Sequence, residues 1–120
     1  MMILNRFSGK TICRTNDMKL NNFDLRCANL GGVKFDAANL CNADLRSAIL
    51  VSAELRNAEM RNADLRGADL SYVDLSYANL SGANLCGSLF RGANLRYADL
   101  SGCNLNGADF SGADITGVIK

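Results

Sequence analysis

Asp24, Asp44 and Asp64 recur at intervals of twenty residues, and each is followed two positions later by an arginine: Arg26, Arg46 and Arg66. A guanidinium fork is well matched to a phosphate or a carboxylate, so these arginines are a candidate anion-contacting ladder. The acids beside them support the opposite outcome, a charge-balanced face on which each cation already has its partner. Other reactive chemistry is scarce. The 120 residues include no histidine, which removes the usual base at neutral pH, the partner of a serine or cysteine nucleophile, and the commonest metal ligand. Five cysteines, at 13, 27, 41, 86 and 103, show no C-x-x-C spacing and read as reduced thiols, not as a disulfide framework or a zinc site. No phosphate-binding glycine loop and no glycine-rich calcium nonapeptide occurs, and three threonines are too few for an ice-binding array. The expectation is a protein that is not an enzyme, with no metal and no cofactor.

Composition narrows the class further. Apolar residues make up 48% but aromatics only 7%, with neither Trp nor Pro, so the core must be built from many medium and small side chains. The first twenty residues carry Arg6, Lys10, Arg14 and Lys19 against Asp17, while the rest holds nine Lys/Arg against eleven Asp/Glu, a balance of −2. A polyanion binder would be far more basic, and a nucleic-acid mimic far more acidic. The apolar run at the N-terminus is four residues long, too short for a signal peptide, and no stretch is long enough to span a membrane. The expected setting is cytoplasmic, without direct nucleic-acid or membrane partners.

The elements that position these residues follow from a period of five. Leu55 to Leu70 reads LRNAEMRNADLRGADL, and every residue numbered by a multiple of five from Leu20 to Ile115 is Leu, Phe, Met or Ile, twenty positions without a slip. Two residues earlier stands a small residue in most cases, with Met18, Phe23, Val33, Val73, Ser88 and Cys103 as departures. Between them lies an acid or amide at sixteen of the twenty places, and two residues after the apolar position comes Gly at nine and Asn at four. A helix advances each fifth residue by a net turn of about 140°, so the leucines would leave any one face. A flat strand would flip every second leucine to the other side. A short extended triplet followed by a corner, with Gly and Asn at positive φ, brings all of them to a common axis. Successive coils then stack by parallel hydrogen bonds about 4.8 Å apart, which is a solenoid of the β-helix kind.

The repeated motif, as in Ala63-Asp64-Leu65-Arg66-Gly67, resembles the pentapeptide-repeat protein family over about residues 18–117. The resemblance implies an all-β fold, a right-handed quadrilateral parallel β-helix with four pentapeptides per coil and about five coils; the period alone leaves other polygons open. It also implies a second function. Some members are DNA mimics that bind type II topoisomerases such as gyrase, inhibiting them or protecting them from quinolones. Those members look like long acidic rods, often dimers through a C-terminal helix, whereas this repeat region is near neutral and no such helix is seen.

With twenty residues per coil, residues twenty apart form columns. Leu25, Leu45, Leu65, Leu85, Leu105, Phe35, Phe90 and Phe110 are the expected structural core. In SAILVS and GSLFRG, Ile49 and Leu89 replace the usual acid, with Val51 beyond. Tyr72 stands at the next corner, and Tyr77 and Tyr97 stack at the corner after it. These six residues are the candidate partner-binding patch, since aromatic side chains are enriched at interfaces. Residues 1–17 fall outside the repeat phase and are expected to cap the solenoid, which then occupies 18–120; Ser8-Gly9-Lys10 is a candidate turn between two short strands. At the other end no capping helix follows, and an uncapped C-terminal coil pairing with a second copy is expected. The favoured function is a structural or protein–protein interaction scaffold for a partner that is another protein, with the topoisomerase-directed DNA mimic as the alternative.

Overall fold

The structure is a computed structural model that describes residues 2–4, 11–14 and 19–120. Near the N-terminus, β1 (Met2–Leu4) and β2 (Thr11–Arg14) pair antiparallel with Met2 opposite Arg14 and a register shift between Ile3 and Leu4. Two short strands therefore flank the expected Ser8-Gly9-Lys10 turn. The turn itself, the link to the repeats and the capping role expected of residues 1–17 lie outside the described residues.

From Lys19 onward the chain is one solenoid. Seventeen parallel bridges, from Lys19–Asn39 to Asp99–Ile119, all join residues twenty apart, so each coil holds four pentapeptides. The third coil serves as reference: side one is 58–62, side two 63–67, side three 68–72 and side four 73–77. The hydrogen bonds around Leu65 explain why the motif has its composition. Leu65 N–H donates to Asn84 C=O at 2.8 Å, and Gly67 N–H to Cys86 C=O at 3.0 Å, both on the next coil. Asp64 N–H reaches back to Ala43 C=O at 3.0 Å, and Ala68 N–H closes onto Leu65 C=O at 3.0 Å. That last bond makes each corner a β-turn, and its third residue has positive φ in all twenty corners from Asn22 to Gly117, as a type II turn requires.

One backbone donor per pentapeptide is left over, the N–H just after the leucine. The acid or amide side chain supplies its acceptor: Asp64 Oδ1 takes Arg66 N–H at 3.2 Å. The same contact recurs in fourteen pentapeptides. This side-chain mimic of a turn is the physical reason for Asp or Asn at that place.

Inside, Leu25, Leu45, Leu65, Leu85, Phe35 and Phe90 are fully buried, with alanines filling the narrower positions beside them. Each such leucine contributes on the order of 1.5–3 kcal/mol. Polar departures within the core are satisfied: Ser88 Oγ donates to Leu85 C=O at 2.6 Å, and Cys103 Sγ to Leu80 C=O at 2.9 Å. Two expected core members differ. Leu105 is 40% exposed and Phe110 only partly buried. Both point inward, with Phe110 stacked on Phe90 at 5.0 Å, but among the described residues no other coil covers residues 101–120.

Candidate partner-binding surface

Side two carries the arginine column. Arg26 grips Asp24 through Nε (2.8 Å) and Nη2 (2.7 Å), Arg46 grips Asp44 at 2.9 and 2.6 Å, and Arg66 grips Asp64 at 2.9 and 2.6 Å. Between coils, Arg26 Nε lies 3.7 Å from Asp44 and Arg46 Nε 3.8 Å from Asp64. The hydrogen bonds from Arg26 hold the Asp24 carboxyl at a pKa of about 2, and Asp44 and Asp64 are lowered by the same contact with Arg46 and Arg66. This is the geometry of a charge-balanced face. Arg26, Arg46 and Arg66 do align, but each fork is already taken by its own carboxylate. All seven arginines of residues 19–120 are ion-paired, Arg26, Arg46, Arg61 and Arg66 with the acid two residues earlier and Arg56, Arg91 and Arg96 with an aspartate on a neighbouring coil.

Side three carries the apolar departures. Ile49, Val51 and Leu89 are half-buried. Asp69 stands between Ile49 and Leu89, bridged to both, and its Oδ1 is occupied by the N–H and hydroxyl of Ser71 at 3.0 and 2.7 Å. At the corner closing this side, Tyr72 is 68% exposed and leans along its column over the next coil: a Cβ on Gly92 would fall 2.7 Å from Tyr72 Cε1. Tyr77 and Tyr97 stack at 5.2 Å at the corner closing side four, with the Arg96 guanidinium 5.8 Å from the Tyr97 ring. The expected single patch is therefore two groups. Ile49, Val51, Leu89 and Tyr72 share side three and its corner, whereas the Tyr77–Tyr97 stack lies one full side away.

Sequence reasoning missed Arg91 and Arg96, which pair with Asp109 at 2.8 Å and Asp114 at 3.1 Å across coils. It also missed the turn-closing role of the acids and amides. The constant two-residue step to an otherwise idle N–H was the available signal for that role. Among the described residues Cys27, Cys41, Cys86 and Cys103 are free thiols, burial raising the pKa of the last, and no cluster of His, Cys, Asp or Glu could hold a metal ion. No helix of the described residues is long and apolar enough to cross a membrane. The open end of the solenoid forms an apolar hollow of about 190 Å³ lined by Leu100, Leu105, Phe110, Ile115, Val118 and Lys120.

A family description of pentapeptide repeats matches residues 24–62, 48–87 and 87–119, in eight copies. The chain belongs to the pentapeptide-repeat family. Among solved structures it is similar to a pentapeptide repeat protein of the Arabidopsis thaliana thylakoid lumen, at 33% identity and a TM-score of 0.72, over 83% of this chain and 66% of that one. It is also similar to a trypsin-treated form of QnrB1, a plasmid-mediated fluoroquinolone resistance protein, at 27% identity and a TM-score of 0.76, over 97% of this chain and 51% of that one. The chain thus spans about two thirds and about half of the lengths of these relatives. Comparison with curated protein sequences gives no match. The shared architecture is the right-handed quadrilateral β-helix.

Proposed function

We propose that the chain is a rigid, non-enzymatic interaction scaffold whose tyrosine-bearing corners contact another protein. One observation carries this reading. Tyr72, Tyr77 and Tyr97 sit at φ values of 59–60°, a region that costs a non-glycine residue roughly 1–2 kcal/mol, yet they remain 68%, 61% and 45% exposed. All twenty corners share this backbone, so what sets these three apart is an exposed aromatic ring, and tyrosine is a preferred interface residue. The test is affinity capture from the producing cells with wild type and a Tyr72→Gly/Tyr77→Gly/Tyr97→Gly variant, glycine being the commonest corner residue. Specific proteins retained by wild type and lost by the variant are expected; identical capture by the two contradicts the reading. Free thiols at Cys27, Cys41, Cys86 and Cys103 support a reducing compartment such as the cytoplasm.

Similarity to QnrB1 favours a second reading, a DNA-mimic modulator of a type II topoisomerase. The balance of −2 and the paired arginines weigh against it. A supercoiling assay with gyrase at micromolar protein separates the two: inhibition, or protection from a quinolone, would establish the second reading over the first. The exposed Leu105, Ile115 and Ile119 support a further partner, a second copy stacked on residues 101–120. Light scattering should then show a dimer that Leu105→Glu converts to monomer, and a monomer at all concentrations excludes it.

A further inference from the structure

We propose that side three is a docking track for a proline-rich segment of the partner, held as a polyproline II helix along the solenoid axis; the proposal rests on the scaffold reading and names the chemistry of the occupant. On this side Asn29, Asp69 and Asp109 each close the N–H two residues on, at Gly31, Ser71 and Ser111. Ile49 and Leu89 cannot, so among the described residues the N–H groups of Val51 and Arg91 have no acceptor. The same donor is open at Asn21, Asp36 and Arg61, but there the substituted side chain is Lys19, Lys34 or Glu59. Side three alone joins an open donor to an apolar side chain, and it does so twice, two coils apart.

Two coil spacings are about 9.6 Å. A polyproline II helix repeats every three residues, about 9.3 Å, and has no internal hydrogen bonds. Every third carbonyl therefore returns to one face at nearly the spacing of the two open donors. The other regular conformations fit less well. Same-face residues of an extended strand recur every 6.7 Å or so, and an α-helix uses its own carbonyls. The polarity is complementary as well. Proline has no N–H, so such a segment offers only negative carbonyl ends to the positive ends of the Val51 and Arg91 amides. Asp69 between them is already occupied by Ser71. Tyr72, leaning from the corner over Gly92 beside Arg91, supplies the aromatic wall that proline-rich ligands use. These 120 residues contain no proline, so none of them is the occupant.

Fluorescein-labelled decaproline titrated with the full chain and followed by anisotropy tests the track. Saturable binding is expected, with none for a glycine–serine decamer. Ile49→Asn/Leu89→Asn copies Asn29 of the same column, keeps the fold and gives Val51 and Arg91 their own acceptors; it should weaken binding at least tenfold with an unreduced thermal midpoint. Tyr72→Gly, which copies Gly92 and Gly112, should weaken it severalfold. Absence of saturable decaproline binding, equal binding of the control peptide, or undiminished binding to the asparagine pair overturns the proposal. So does self-association of wild type that the asparagine pair abolishes, which would assign the face to a second copy. If decaproline fails while tyrosine-dependent capture persists, the track falls and the scaffold reading stands.

Discussion

Asp24 does two jobs with one carboxylate: Oδ1 accepts Arg26 N–H and Nε, and Oδ2 accepts Nη2. Asp109 similarly serves Ser111 and Arg91. Both are held at a pKa of about 2, and Asp36, Asp44, Asp64, Asp99 and Asp114 are lowered too. Folded-state values below the unfolded value of about 3.9 contribute stability that is complete above that pH and is lost as pH falls through the folded values. The thermal midpoint followed by circular dichroism should be flat from pH 7 to pH 5 and fall between roughly pH 4 and pH 2. A decline already under way above pH 5, or none down to pH 2, would contradict the assignment. The acids themselves were plain in the sequence. Their occupation was not, because it depends on a corner that turns each N–H and each guanidinium back onto the carboxylate two residues earlier.

At the scale of the corner, the backbone conformation is uniform and the side chains are not. Gly87 and Gly92 both hold positive φ, but a Cβ on Gly87 meets nothing within 4 Å, whereas one on Gly92 meets the Tyr72 ring. Gly87→Ala should therefore destabilise by about 1 kcal/mol from backbone strain alone, and Gly92→Ala by about 1 kcal/mol more. Adding Tyr72→Gly should recover that excess, so a double-mutant cycle in urea reads a coupling of about 1 kcal/mol; additivity would mean that the ring does not lie over Gly92. The period of five and the preference for Gly and Asn made the corners legible beforehand. Which way a corner side chain leans was not, since that direction is set by the neighbouring coil. For the same reason the six-residue patch read along one flank divides into two: column membership follows from numbering, but the width of a side separates Tyr72 from Tyr77.

Across the whole molecule each coil is held by its neighbours, so a side chain's contribution depends on whether a coil lies on both sides of it. Leu65 is fully buried and Leu105 is 40% exposed although both occupy the same column. Leu65→Ala should cost about 2–5 kcal/mol by chemical denaturation, and Leu105→Ala well under half of that. Equal losses would mean that the end of the solenoid is covered in solution. Almost all of the architecture was legible, because twenty inward positions without a slip admit only a solenoid, and the number of sides was supplied by the family resemblance. The exposed end was not legible, because repeat phase says which way Leu105 and Phe110 point and nothing about what lies above them. The pattern of inter-coil hydrogen bonds and side-chain-closed corners is tested most directly by amide hydrogen exchange on side three. Leu50, Ser52, Ser71, Phe90 and Gly92 should be protected, while Val51 and Arg91 exchange nearly as fast as in an unfolded chain. Protection at Val51 and Arg91 equal to that at Ser71, or fast exchange at Leu50 and Phe90, would contradict it.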